Sequence, residues 1–191
     1  MFKSLPAPTE DLLATGIKVV KQVRAISCAV SIAFLGVVFT WYAIKVTVGS
    51  RAVNDRMTCL GHLRQIGTSL AGYVADWDDR FPPKEHWETL IGRELGACRI
   101  TTLKCPSSQA PFGYLYNSQI AGGHLDEVVA PVVESQSCRV VLFEHDSASM
   151  NGFGEGRATP PAQRHIGGTN MLFADFRAGW RNKSGQLPVV W

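Results

Sequence analysis

The chain has 191 residues, a net charge of +3, a hydrophobic share of 46% and five cysteines. Its Lys and Arg are scattered, so nothing in the charge balance argues for nucleic acid as a partner. No long charge run, low-complexity tract or internal repeat interrupts it, and after an N-terminal apolar region about 140 residues are left, enough for one soluble domain.

Met1–Glu10, with Pro6 and Pro8, reads as a loose tail. Thr9 can cap a helix whose first turn holds Glu10 and Asp11, where negative charge suits the helix dipole. Leu12, Leu13, Ile17, Val20 and Val23 then form an amphipathic lead-in suited to a membrane surface, so residues 1–24 are expected to be a cytoplasmic tail and lead-in. From Ala25 to Ile44 there is no Asp, Glu, Lys, Arg or His. About 20 such residues, at a rise of about 1.5 Å each, match a hydrocarbon core roughly 30 Å thick. Trp41 and Tyr42 suit the membrane interface, and Lys45 can snorkel beyond them, so residues 25–48 are expected to span the membrane once. A buried core helix would show one polar face, and this segment offers only Ser27, Ser31 and Thr40. A signal peptide would have a shorter apolar region followed by small residues, where this chain has Trp41, Tyr42 and Ile44.

Beyond Lys45, apolar residues recur at Val53, Met57, Leu60, Leu63, Ile66, Leu70, Val74 and Trp77. Steps of three and four put them on one helix face, which predicts a helix over 49–79 packed on the domain 49–191, stopped by Pro82-Pro83. Asp76, Asp78 and Asp79 form an acidic turn, read either as a cation site or as a solvated helix end. Trp87–Leu95 predicts a short helix with Trp87, Leu90, Ile91 and Leu95 inward. Phe112–Asn117 reads as a short strand or packed loop, and Gly122–Val133 as irregular. Arg139–Glu144 is apolar and β-branched, the pattern of a central strand, and Ser147–Gln163, rich in glycine, is a long surface loop. Asn170–Asp175 predicts a second strand, pairing as a hairpin with Phe176–Trp180, and Leu187–Trp191 can cover a sheet edge. The fold class expected is α+β, a long helix on a small antiparallel sheet.

Lys18, Lys21 and Arg24 before the apolar run nearly balance Lys45, Arg51 and Arg56 after it, so the positive-inside rule leaves orientation close to a tie. Cys28 lies in the apolar segment; Cys59, Cys98, Cys105 and Cys138 remain as disulfide candidates, and four cysteines fit an oxidising compartment outside the cytoplasm. They allow three pairings, including Cys98–Cys105 and Cys59–Cys105. Without a CxxC pair they make a poor zinc ribbon. Glu144, His165 and Asp175 are the candidate metal ligands, with His145 and Asp146 nearby: calcium if oxygen dominates, another divalent metal if His165 joins. Their structural alternative is that Asp175 accepts turn N–H groups while His165 pins the Gly167-Gly168 turn. Ser147 and Ser149 near His145 lack a nucleophile elbow, and Gly152–Gly156 lacks the setting of a phosphate loop.

Three stretches are distinctive together: Cys59-Leu60-Gly61-His62-Leu63-Arg64-Gln65-Ile66-Gly67 with Tyr73 and Phe81-Pro82; Cys105-Pro106-Ser107; and Arg164-His165 through Asp175 with Trp180. In this order they resemble planctomycete-type pseudopilin-like proteins with a C-terminal prepilin-type processing-associated domain, whose hallmark is His, nine residues, then Asp-Gly. His165 and Asp175 keep the spacing, and Phe176 stands where the glycine would be. The Gly-Phe-Thr-Leu-Ile-Glu site of prepilin peptidase does not precede Ala25–Ile44, which leads to the expectation of an unprocessed anchor. The resemblance implies a pilin-like fold in the inner (cytoplasmic) membrane with a periplasmic domain. It also implies a non-catalytic role in a type II secretion or type IV pilus-like system, with membrane lipid and other pilin-like or secretion-system subunits as partners. The alternatives are a membrane-tethered metal-binding or hydrolytic domain, and a divergent copy that regulates such a system.

Overall fold

The computed structural model describes residues 10–96, 99–129, 139–156, 158–182 and 191. They belong to two compact units, Met1–Gly49 and Ser50–Trp191. The first unit is helical, the early part of α1 (Glu10–Asp76). Its apolar side chains, among them Ile26, Val30, Phe34, Val37, Phe39 and Trp41, are exposed on every side. By length and composition this one helix can cross a membrane, and none of its most apolar 18-residue stretch is buried. Its hydroxyls bond back to the helix: Ser31 Oγ donates to Ser27 O at 2.9 Å, and Thr47 Oγ1 to Ala43 O at 3.0 Å. These side chains therefore need no water, the condition that lipid imposes.

In the second unit the stripe on α1 is buried from Cys59 and Leu60 through Leu63, Ile66 and Leu70 to Val74. Val53, Met57 and Trp77, expected to continue it, are exposed. The helix ends at Asp76 rather than at 79. Asp78 and Asp79 take φ of 49° and 53°, and the Asp79 amide returns to the Val74 carbonyl at 3.0 Å. This left-handed cap, which aspartate tolerates well, stops the helix before Pro82-Pro83 are reached.

The sheet contains β1 (Tyr114–Asn117), β2 (Val140–Glu144), β3 (Phe153–Gly154), β4 (Gly168–Phe173) and β5 (Ala178–Asn182), in the order β3-β1-β2-β4-β5. β2 is central and buried throughout, and β4 and β5 form the expected hairpin. The fold is α+β, but the sheet is mixed rather than purely antiparallel, because β3 runs parallel to β1. Tyr114, at the start of β1, pairs with Glu144, at the end of β2. The chain leaving β2 is therefore beside the beginning of β1, and it travels along that strand's open edge in the same direction. The loop expected over Ser147–Gln163 thus contains β3, and the irregular stretch contains α4 (Leu125–Val129), with Asp126 and Glu127 in its first turn.

The face of the sheet toward α1 holds Leu63, Ile66, Leu70, Trp87, Tyr116, Val141, Leu142 and Leu172 in one core. Trp87 begins α2 (Trp87–Leu95) and stacks on Tyr116 at 5.6 Å. The opposite face gathers Leu115, Val140, Phe143, Met171 and Phe173, with Trp191 edge-on to Phe143 at 5.3 Å. Adjacent Val141 and Leu142 join the same cluster because the register shifts between Val140 and Leu142, a bulge that breaks strict alternation. Gly67 lets α1 pass close to the β4–β5 turn: a Cβ there would come within 2.8 Å of both Leu172 Cδ1 and the Phe176 carbonyl oxygen. Residues 187–190 of the expected edge cover lie outside the described residues.

Candidate metal centre

Four elements each deliver one ligand-bearing side chain to a single buried point. Cys59 occupies the apolar stripe of α1. Cys105 follows α3 (Arg99–Thr102), in a turn where the Ser108 amide donates to the Cys105 carbonyl at 2.9 Å. Gly113 makes room for it, since a Cβ there would lie 2.7 Å from the Cys105 amide nitrogen. Glu144 is the last residue of β2. His165 closes a two-residue hairpin into β4, its backbone bonded both ways to Gly168 at 3.1 Å. The residues between, Ile166 and Gly167, have φ of 54° and 72°, as a type I′ turn requires. Trp180 Nε1 donates to the His165 carbonyl at 2.9 Å and anchors the turn to β5.

The donor atoms of Cys59, Cys105, Glu144 and His165 all lie within 4.8 Å of one another, and all four residues are buried. His165 Nε2 sits 2.9 Å from Glu144 Oε1 and 3.4 Å from Cys105 Sγ. Glu144 is held by Asn170, whose amide donates to Oε2 at 3.0 Å and whose Nδ2 donates to Oε1 at 3.1 Å, and by the Thr169 hydroxyl at 3.3 Å. Tyr114 Oη donates to the Cys59 carbonyl at 3.4 Å. The charges are strongly linked. The thiol of Cys59, shared with Cys105 and then desolvated, is pushed far above its ordinary range. Accepting that hydrogen bond, Cys105 is lowered to about 5, with His165 assisting and burial opposing. Burial pulls His165 down, yet its hydrogen bonds to Cys105 and Glu144 outweigh burial and hold it at about 9.

The structure therefore brings together Glu144 and His165 of the three expected ligands, but not Asp175. That carboxylate accepts the Arg177 amide at 3.1 Å and pairs with the Arg177 guanidinium, which bears out its alternative role in a turn. Asp146 pairs with Arg164 at 2.9 Å, and His145 Nδ1 meets the Ser147 hydroxyl at 3.0 Å in a local turn. That turn borders a cleft of about 550 Å³ lined by Ser149, Asn151 and Phe153. Among the described residues the acidic turn at Asp76–Asp79 joins no ligand cluster. Cys59 and Cys105 are free thiols, so the disulfide that could have joined them is not formed; Cys98 and Cys138 lie outside the described residues. Sequence reasoning assigned both thiols to disulfides and so missed them as ligands. The available signal was Cys59 itself, a thiol in step with Leu63, Ile66 and Leu70 on the buried face of α1.

The group can hold a metal ion. A cysteine triad is the competing chemistry, and the geometry disfavours it. A nucleophile and its orienting acid must use opposite imidazole nitrogens. Here Cys105 and Glu144 share Nε2, while Nδ1 is buried without a partner among the described residues. Comparison with known protein families, curated proteins and solved structures gave no match.

Proposed function

We propose that this chain is a non-catalytic, membrane-anchored, pseudopilin-like component of a type II secretion or type IV pilus-like system. The apolar part of α1 is its single anchor in the cytoplasmic membrane, and residues 49–191 form its extracytoplasmic domain. The observation that supports this reading is the change of surface along α1. Its early part is apolar and exposed all round, whereas its later part buries one stripe against a small sheet. Apolar surface left bare in this way suits lipid and the helices of neighbouring subunits. Those subunits, with membrane lipid, are the partners proposed. The paired sulfurs of the buried cluster argue against calcium, which takes oxygen ligands, and for a softer divalent ion. A tethered metal hydrolase would need a ligand position open to water and substrate; four buried donors offer none.

Cys28, exposed on α1, is a native probe of this reading. In membranes from the native cell the protein is expected to resist carbonate extraction. Its domain should be cut by protease added from outside, and oxidation should crosslink Cys28 to a neighbouring helix that also carries a cysteine, a second copy being the simplest case. Release by carbonate, or a domain protected until the membrane is opened, overturns the reading.

A further inference from the structure

We infer that Cys59, Cys105, Glu144 and His165 form a closed, tetrahedral zinc site that staples α1 to the sheet. The inference is independent of the function proposed above, since it needs neither a membrane nor a partner. Three observations carry it. First, the donor set of two sulfurs, one imidazole nitrogen and one carboxylate oxygen suits a borderline-soft ion and excludes calcium and magnesium, which take oxygen. Second, the spacing fits. Around a tetrahedral zinc ion, bond lengths of roughly 2.0–2.3 Å put the donors about 3.3–3.8 Å from one another. The four atoms here all fall within 4.8 Å, with His165 Nε2 2.9 Å from Glu144 Oε1 and 3.4 Å from Cys105 Sγ. Third, every member is buried and each comes from a different element, so no position is left for substrate, as in structural rather than catalytic zinc sites.

On entry of the ion, the proton held between the two sulfurs and the proton on His165 Nε2 leave to solvent. Glu144 Oε1 exchanges its imidazole partner for the metal. Asn170, which bonds both carboxylate oxygens, then orients Glu144 together with the Thr169 hydroxyl. Cys59 would tie α1, Cys105 the turn after α3, Glu144 the central strand and His165 the β4 hairpin. One ion thereby ties α1 and the turn after α3 to the sheet, in addition to the packing and hydrogen bonds between them.

The test uses the full chain, purified reduced in detergent. One tightly bound zinc per chain is expected by elemental analysis. A strong chelator should remove it and lower Tm by roughly 10 °C or more. Replacement with cobalt(II) should give an intense tetrahedral spectrum with thiolate charge-transfer bands. Asn170→Ala should weaken zinc binding about 10–100-fold without removing a ligand. Cys105→Ser should abolish the charge-transfer band of that thiolate; if this variant fails to fold, the cobalt spectrum of the unaltered chain still decides. A pale octahedral cobalt spectrum, an unchanged Tm after chelation, or a native mass lower by two hydrogens from a Cys59–Cys105 disulfide overturns the site.

Discussion

Two residues hold backbone conformations that their side chains disfavour. Ile166, β-branched and exposed, has φ of 54°, and Phe176 has φ of 63° at the position where the resembled family places glycine. Phe176 is compensated by its ring, which stacks on Phe81 at 6.1 Å. Ile166 is half exposed and joins no hydrophobic cluster among the described residues, so the strain of its turn is not offset in that way. Ile166→Asn creates Asn-Gly, the preferred type I′ pair, and is expected to stabilise the domain by about 1 kcal/mol in denaturant titrations. Tyr116 gives a pH dependence. Burial raises its ionisation above the usual tyrosine range, and its hydroxyl donates to the Pro82 carbonyl at 3.0 Å. The folded state keeps the proton that the unfolded chain loses. Stability from this group is therefore complete below about pH 10 and falls by about 1.4 kcal/mol per unit above it. Tyr116→Phe should flatten that alkaline slope while costing about 1 kcal/mol at neutral pH for the lost hydrogen bond. An unchanged slope would show that other groups govern it.

At the scale of elements, two contacts join parts distant in sequence. Gly67 brings α1 against the β4–β5 turn, where a methyl group would meet the Phe176 carbonyl oxygen, a backbone atom that cannot swing aside. Gly67→Ala gains helix propensity, but overpacking dominates, and a net loss of about 1–3 kcal/mol is expected by thermal unfolding. The second contact caps α2 from afar. Asn151 Oδ1 accepts the amides of Glu88 at 2.9 Å and Thr89 at 3.2 Å, while the buried Glu88 carboxylate accepts the Asn151 amide at 2.7 Å. Trp87 Nε1 adds a bond to the Gly152 carbonyl at 3.0 Å. Asn151→Ala should cost about 1 kcal/mol, as the loss of a helix cap does, and should speed proteolysis within 147–163.

For the whole molecule, the decisive property is the bare apolar part of α1. Arginine near the centre of a spanning helix costs about 2.5–3.5 kcal/mol. Phe34→Arg with Val38→Arg should therefore move the protein from the membrane pellet to the soluble or aggregated fraction, with zinc content per folded domain unchanged. If the double variant still resists carbonate, the apolar segment is not the anchor.

Much of the architecture was legible because it depends on local pattern. Twenty uncharged residues identify a possible span, the three-and-four spacing from Leu60 to Val74 identifies a packed helix face, and Arg139–Glu144 identifies a central strand; each burial is written in its own period. The pattern was blind where geometry is not periodic. The left-handed turn at Asp78-Asp79 ended α1 early, and the path of the chain around β1 made β3 parallel. The metal centre lay furthest from view. Its ligands come from a helix, a turn, a strand end and a hairpin, and no short motif links them. Glu144 and His165 were identifiable as chemistry, but Asp175 has the same residue type and a suitable spacing, yet faces Arg177 instead. Which carboxylate meets which thiol depends on how α1 crosses the sheet, and that crossing is set by side-chain packing between segments far apart in the chain.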